Sequence, residues 1–230
     1  GLGTSGSFQL VTTAGSGSGV GNYGITLSNF VKTGTNFTSQ TSQDGNLVVN
    51  PLAVSLGAVS LSKVYDGNTS AQTSIGVSNK VGADDVSVLG VGSYTDNKNV
   101  GNAHTYSLNA QLVGTAMANY YLSSASVTGS TGVITPASLT ISGIIASNKT
   151  YDGLTDALVS VSGVSKTGLL AGDVVNVSAT GVFADKNAGN GKAVSLSSSY
   201  TGADVGNYSI TGQGSATADI TPAADRKSVV

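Results

Sequence analysis

The chain has no cysteine, no glutamate and no tryptophan, and only one histidine, one methionine and one arginine. Without cysteine, neither disulfides nor a thiolate metal centre can hold it together. Charged residues make up 10% of 230 residues and the formal net charge is −2, which excludes a basic groove for nucleic acid. All twelve acids are aspartate. The shortage of Glu, Arg and Met removes good helix formers, whereas Asp and Asn favour turns. The apolar runs are short and broken by Gly, Ser or Thr, far below the ~20 residues that span a bilayer, so no membrane span is expected.

Abundant Gly, Ser, Thr, Val and Asn favour strands joined by turns. They are also arranged in a repeat. Lys63-Val64-Tyr65-Asp66-Gly67-Asn68-Thr69 returns 86 positions on as Lys149-Thr150-Tyr151-Asp152-Gly153-Leu154-Thr155. Asn97-Lys98-Asn99-Val100-Gly101 returns as Asp185-Lys186-Asn187-Ala188-Gly189, and Asn119-Tyr120 as Asn207-Tyr208, both offset by 88. Thr135-Pro136 and Thr221-Pro222 close the copies, and Pro cannot continue a central ladder. Such a period marks an array of modules. The expected divisions are 1–51, the last part of a preceding module with a longer final loop; 52–136, a first complete module; 137–222, a second; and 223–230, a linker or foreign tail. The tail expectation rests on Asp225-Arg226-Lys227-Ser228-Val229-Val230, which resembles a translated sequencing adapter.

Within a module, Leu52–Leu56 and Ser138–Ser142 alternate as half-buried strands do. In Lys-x-Tyr-Asp-Gly-x-Thr, Asp66 and Asp152 are expected to form a tight turn, with Gly67 and Gly153 supplying positive φ. Tyr65 and Tyr151 would pack on the sheet and reach a backbone group with the hydroxyl. Val86–Leu89 and Val174–Ser178 read as strands, each following an acid (Asp85, Asp173), and Thr105–Leu108 and Ala193–Leu196 as the strands after the Lys-Asn-x-Gly turn. Gly114–Ala118 and Gly202–Gly206 each suit one helical turn before the Asn-Tyr strand. The expected fold is all-β: small sandwich-like modules, immunoglobulin-like or β-grasp-like, arranged end to end.

Four motifs in order, twice, carry a resemblance. Lys-x-Tyr-Asp-Gly-x-Thr, Lys-Asn-x-Gly, Gly-Asn-Tyr-x-Ile and Ile-Thr-Pro resemble the YDG/MBG-type repeats of large secreted bacterial adhesins, many similar to filamentous haemagglutinins exported by two-partner secretion. The resemblance covers about 52–222, and more faintly 20–51, where Gly21-Asn22-Tyr23-Gly24-Ile25 stands. It implies an extracellular or cell-surface stalk or adhesive array. The partners would be neighbouring repeats of the same chain and a host or environmental glycan or surface protein, with no cofactor.

Chemistry has few candidates. His104, the sole histidine, aligns with Lys192 and is expected to be a solvated loop residue. No nucleophile-elbow pattern accompanies it, so no enzyme is expected. Asp84, Asp85 and Asp96 are a weak calcium candidate, since calcium takes six to eight oxygens. Lys63, Lys98, Lys149 and Lys186 raise an internal isopeptide bond, against the simpler reading of lysines on an edge or turn that discourage strand pairing. Asn-x-Ser/Thr sequons at Asn36, Asn68, Asn148, Asn176 and Asn207 are near the number expected by chance. The expected role is a structural and adhesive stalk. Its alternatives are lectin-like modules stacking sugars on Tyr94, Tyr121 and Tyr200, and a non-catalytic appendage of a larger secreted enzyme.

Overall fold

Three strands open the chain: β1 (Ser7–Thr12), β2 (Gly21–Val31) and β3 (Gly45–Val49), an antiparallel sheet in that order. The structure is a computed structural model and describes residues 7–31 and 43–224. Asn36 and the Asp225–Val230 tail lie outside the described residues.

The first repeat follows as β4 (Leu52–Ala53), β5 (Ser62–Val64), β6 (Ser70–Gly76), β7 (Ser87–Tyr94), β8 (Gly101–Val113), β9 (Tyr120–Tyr121) and β10 (Ser126–Thr135). Its main sheet has the order β5-β10-β8-β7-β6, and β4 pairs in parallel with β9. The second repeat supplies β11 (Ala137–Ser142), β12 (Ile145–Ala146), β13 (Lys149–Thr150), β14 (Asp156–Ala157), β15 (Val159–Ser160), β16 (Ser165–Thr167), β17 (Asn176–Phe183), β18 (Gly189–Thr201), β19 (Tyr208–Thr211) and β20 (Ser215–Thr221). Its main sheet, β13-β20-β18-β17-β14, repeats the first topology, and β11 pairs in parallel with β19 as β4 does with β9. In both copies the strand before the Tyr-Asp-Gly turn lies parallel to the last strand. The fold is thus all-β, as the composition implied.

The alternation read from the sequence is the alternation of burial. In β11, Ala137, Leu139 and Ile141 point inward and their neighbours outward. The expected Leu52–Leu56 strand is interrupted: Leu52 and Ala53 pair, Val54 turns into the core, and Leu56 forms an isolated antiparallel bridge with Val77. The expected helical turns are 3-10 turns at Met117–Asn119 and Val205–Asn207, displaced so that each ends on the asparagine. Gly21 opens β2 as Gly101 and Gly189 open β8 and β18, so Gly21-Asn22-Tyr23 is not the Asn-Tyr pair that follows a 3-10 turn.

Two compact units form, and they do not follow the repeats. The first holds the described residues up to Ser60 with Gln72–Gly92 and Leu108–Val127; the second holds Leu61–Ala71, Ser93–Ser107 and the described residues from Thr128 on. The first unit packs Val54, Ile75, Val77, Val86, Val88, Ala110 and Tyr120 together. The second packs Ala146, Phe183, Val194, Ala218 and Ile220. Each large side chain fully buried there contributes about 1.5–3 kcal/mol. Among the described residues, no helix is long and apolar enough to cross a membrane.

Candidate functional site: the joint between repeats

Lys63 leaves β5 and folds back over the turn that follows. Its ammonium donates to Asp66 Oδ1 (2.6 Å), to the Asn68 carbonyl (2.8 Å) and to the Ser70 carbonyl (3.0 Å). Asp66 Oδ1 also accepts from Asn68 N, an Asx turn, and Gly67 has φ 79°. The second copy repeats this: Lys149 Nζ donates to Asp152 and to the carbonyls of Leu154 and Asp156, Asp152 Oδ1 accepts from Leu154 N, and Gly153 has φ 82°. The lysines do stand on edge strands. Each is a clamp that satisfies turn carbonyls, however, rather than a free charge repelling other strands. Burial pushes the Asp66 carboxyl up, but Lys63 and the Asn68 N–H outweigh it and hold it below its ordinary range.

The turn delivers Tyr65 to the second repeat, inside the second compact unit. The Tyr65 hydroxyl donates to Asp173 Oδ2 at 2.9 Å, and the Tyr208 hydroxyl donates to the same oxygen at 2.6 Å. Leu170 N donates to the Tyr208 hydroxyl, and the two rings meet edge to face at 5.6 Å. Lys98 stands 3.9 Å from Asp173 Oδ1 and 5.9 Å from the Tyr65 ring centroid. Beside this node Asn207, only 4% exposed, accepts from Val100 N (2.9 Å) and donates to Asn99 Oδ1 (3.1 Å). The expected backbone acceptor for Tyr65 is therefore replaced by a carboxylate of the next copy. Lys98, Asn99 and Val100 reach the same place because the Lys-Asn-x-Gly turn lies at the same end of the sheet.

Burial first, and the Asp173 carboxylate second, push the Tyr65 and Tyr208 hydroxyls up to about 12. An unfolded tyrosine titrates near 10. The folded state thus holds these protons more tightly, and the associated stability is whole below pH ~10 and lost as pH rises from about 10 to 12. Urea midpoints measured across that window will fall, and Tyr208→Phe will flatten the fall; an unchanged slope in Tyr208→Phe contradicts the assignment.

The first unit holds the same receiving set. Tyr120 donates to Asp84 Oδ2 (2.7 Å), Val81 N donates to the Tyr120 hydroxyl (2.7 Å), and Asn119 Oδ1 accepts from Val20 N (2.9 Å). At the other end of the pattern, Tyr151 is 39% exposed. Asp84, rather than Asp85, is thus the counterpart of Asp173. Asp85 Oδ2 accepts from Thr115 N and Oγ1, and its task falls to Asp204, whose Oδ2 accepts from Val174 N.

The candidate calcium acids are held by separate partners: Asp84 by Tyr120, Asp85 by Thr115, Asp96 by His104. Among the described residues, no group of three His, Cys, Asp or Glu side chains could hold a metal. His104 overturns its expectation. It is a buried residue of β8, 4% exposed, with Nδ1 2.8 Å from Asp96 Oδ2 and its ring edge to face with Tyr94. Lys192 occupies the same position and pairs with Asp185 at 2.6 Å, so either side chain serves a short link to an acid at the head of the hairpin turn. Tyr94 is 2% exposed and donates to the Val133 carbonyl, which removes it as a sugar platform. Tyr200 is half-buried and Tyr121 exposed. The Asn207 sequon is buried in the joint.

A family model described as the YDG domain matches residues 50–128 and again residues 135–218. No curated protein and no solved structure matches the chain.

Proposed function

Because the chain belongs to the YDG domain family and carries two copies of the domain in tandem, we propose that it is a structural and adhesive repeat segment, the stalk of a secreted bacterial surface adhesin. One observation carries this reading: the residues that recur between copies gather at the joint between copies. Tyr65 with Lys98 and Asn99 is the outgoing half, and Asp173, Asn207 and Tyr208 are the incoming half. A module that carries both halves can be added in series indefinitely, each contacting only its neighbours. Sparse charge and a single histidine engaged with Asp96 suit a role without catalysis. Binding to a glycan or surface protein would then gain from many weak contacts or from a distal domain held away from the cell.

Small-angle scattering on chains with two, three and four copies tests the stalk. The maximum dimension is expected to rise by a constant step per copy. A dimension that grows only as a compact globule's does would defeat the proposal.

A further inference from the structure

The three-stranded sheet β1-β2-β3 corresponds to β7-β8-β10 in the first repeat and β17-β18-β20 in the second. In both repeats the last strand has one more neighbour, running parallel on its outer side. Ser62, Lys63 and Val64 pair with Val133, Ile134 and Thr135, and Lys149 and Thr150 pair with Ile220 and Thr221. That neighbour always leads into the Lys-x-Tyr-Asp-Gly turn. Among the described residues, β3 has no such neighbour, and Leu47 and Val48 on it are 40% and 54% exposed. An uncovered apolar edge is a template for another strand.

Close to this edge the first unit contains a cavity of about 190 Å³. Its lining includes Ser18, Asn50, Asp84, Asn119 and Tyr120. By the repeat, these are the positions of Lys98, Thr135, Asp173, Asn207 and Tyr208. Those five surround Tyr65: Lys98 over its ring, Thr135 O accepting from its N–H, Asp173 accepting from its hydroxyl, Asn207 beside that hydroxyl and Tyr208 against its ring. The cavity therefore has the lining of a tyrosine socket. Both Lys-x-Tyr-Asp-Gly segments of this sequence already lie against β10 and β20.

We propose that β3 and this cavity together receive a Lys-x-Tyr-Asp-Gly-x-Thr strand and turn from a further copy of the repeat. The strand adds parallel to β3 through main-chain hydrogen bonds, as strand-addition partners do. The tyrosine enters the cavity and its hydroxyl donates to Asp84, beside that of Tyr120. The joint seen at Asp173 is thereby completed at Asp84 by a segment in trans. The occupant is identified by chemistry: a flexible or glycan ligand would not need the open strand edge, and a different strand would bring no hydroxyl to Asp84.

The test uses the whole chain and a synthetic peptide with the sequence of residues 61–71. Calorimetric titration is expected to show saturable binding, and hydrogen exchange to show slowed amides in β3. Tyr65→Ala in the peptide is expected to weaken binding about 10- to 100-fold, the range for losing a hydrogen bond to a charged acceptor. Asp84→Asn in the chain, checked for an unchanged far-UV spectrum, is expected to weaken the native peptide but not the Tyr65→Ala peptide. A second arm fuses the peptide ahead of Gly1 through a Gly/Ser linker, which raises its effective concentration to about millimolar. Unprotected β3 amides in that fusion, or equal binding by the native and Tyr65→Ala peptides, overturn the proposal. This inference rests on the joint that underlies the stalk reading, but the outcomes separate. A constant scattering increment with no peptide protection removes the socket alone, and protection without the increment removes the stalk alone.

Discussion

Asp173→Ala is expected to destabilise the second compact unit by about 3 kcal/mol. The carboxylate is 6% exposed by its side chain, and two buried hydroxyls, Tyr65 and Tyr208, donate to the same oxygen. A buried donor stripped of its acceptor costs about 1–3 kcal/mol. The two losses will not add in full, since Tyr208 keeps its bond from Leu170 N and water can enter beside Lys98. Asp84→Ala is the internal comparison. Among the described residues the Tyr120 hydroxyl alone is placed on the Asp84 carboxylate, so about 1–1.5 kcal/mol is expected there. Asp173→Asn keeps an acceptor oxygen and loses the charge, and should fall between. Urea unfolding followed by circular dichroism and tyrosine fluorescence measures all three. Equal losses for Asp173→Ala and Asp84→Ala would show that Tyr65 draws no stability from the joint.

The sequence made the all-β class legible because strand and turn residues are segregated at period two, and backbone pairing follows such local patterns closely. The Asp66 and Asp152 turns were equally legible, since Asx turns and positive-φ glycines are local devices. The joint was not. Its central bond links Tyr65 to Asp173, 108 positions apart, and nothing local marks an aspartate as the acceptor of a distant tyrosine. Aligning the acids also slipped by one residue. Asp85 precedes β7 much as Asp173 precedes β17, so the pair invites matching, yet Asp84 makes the equivalent bond. The slip reflects a loop one residue different in length between the copies. His104 misled for a related reason. Alignment with Lys192 suggested that the position tolerates any polar residue, whereas both side chains reach an acid at the head of the preceding turn. An acid near that turn in both copies, Asp96 and Asp185, was the available signal. A substitution pattern reports a shared partner only when the partner is compared along with it.

Gly202→Ala is expected to be strongly destabilising. Gly202 has φ 130°, where a side chain is strained, and an added Cβ would stand 2.2 Å from the Val174 carbonyl oxygen and 2.9 Å from its carbon. The obstacle is backbone, so no rotamer relieves it. The crossing is held from both sides, by Asp204 N donating to Val174 O and Val174 N donating to Asp204 Oδ2. Gly114 repeats the arrangement with φ 111° and 2.3 Å to the Asp85 carbonyl oxygen, which identifies a structural requirement that the motifs alone did not reveal. Strain at such a φ costs about 1–3 kcal/mol, and displacing the hydrogen-bonded crossing adds to it, so a loss of about 3 kcal/mol or more is expected. The neighbouring control is Gly206→Ala: nothing lies within 4 Å of its would-be Cβ, and a change within about ±0.5 kcal/mol is expected. The consequence extends past stability. The 3-10 turn that follows Gly202 carries Asn207 and leads into Tyr208, so moving the crossing withdraws the clasp on Asn99 and Val100 together with a hydroxyl from Asp173. Thermal melting and hydrogen exchange at Val100 will report the two effects separately. Wild-type melting by Gly202→Ala, or Val100 protection unchanged when melting drops, would break the link between the glycine crossing and the joint.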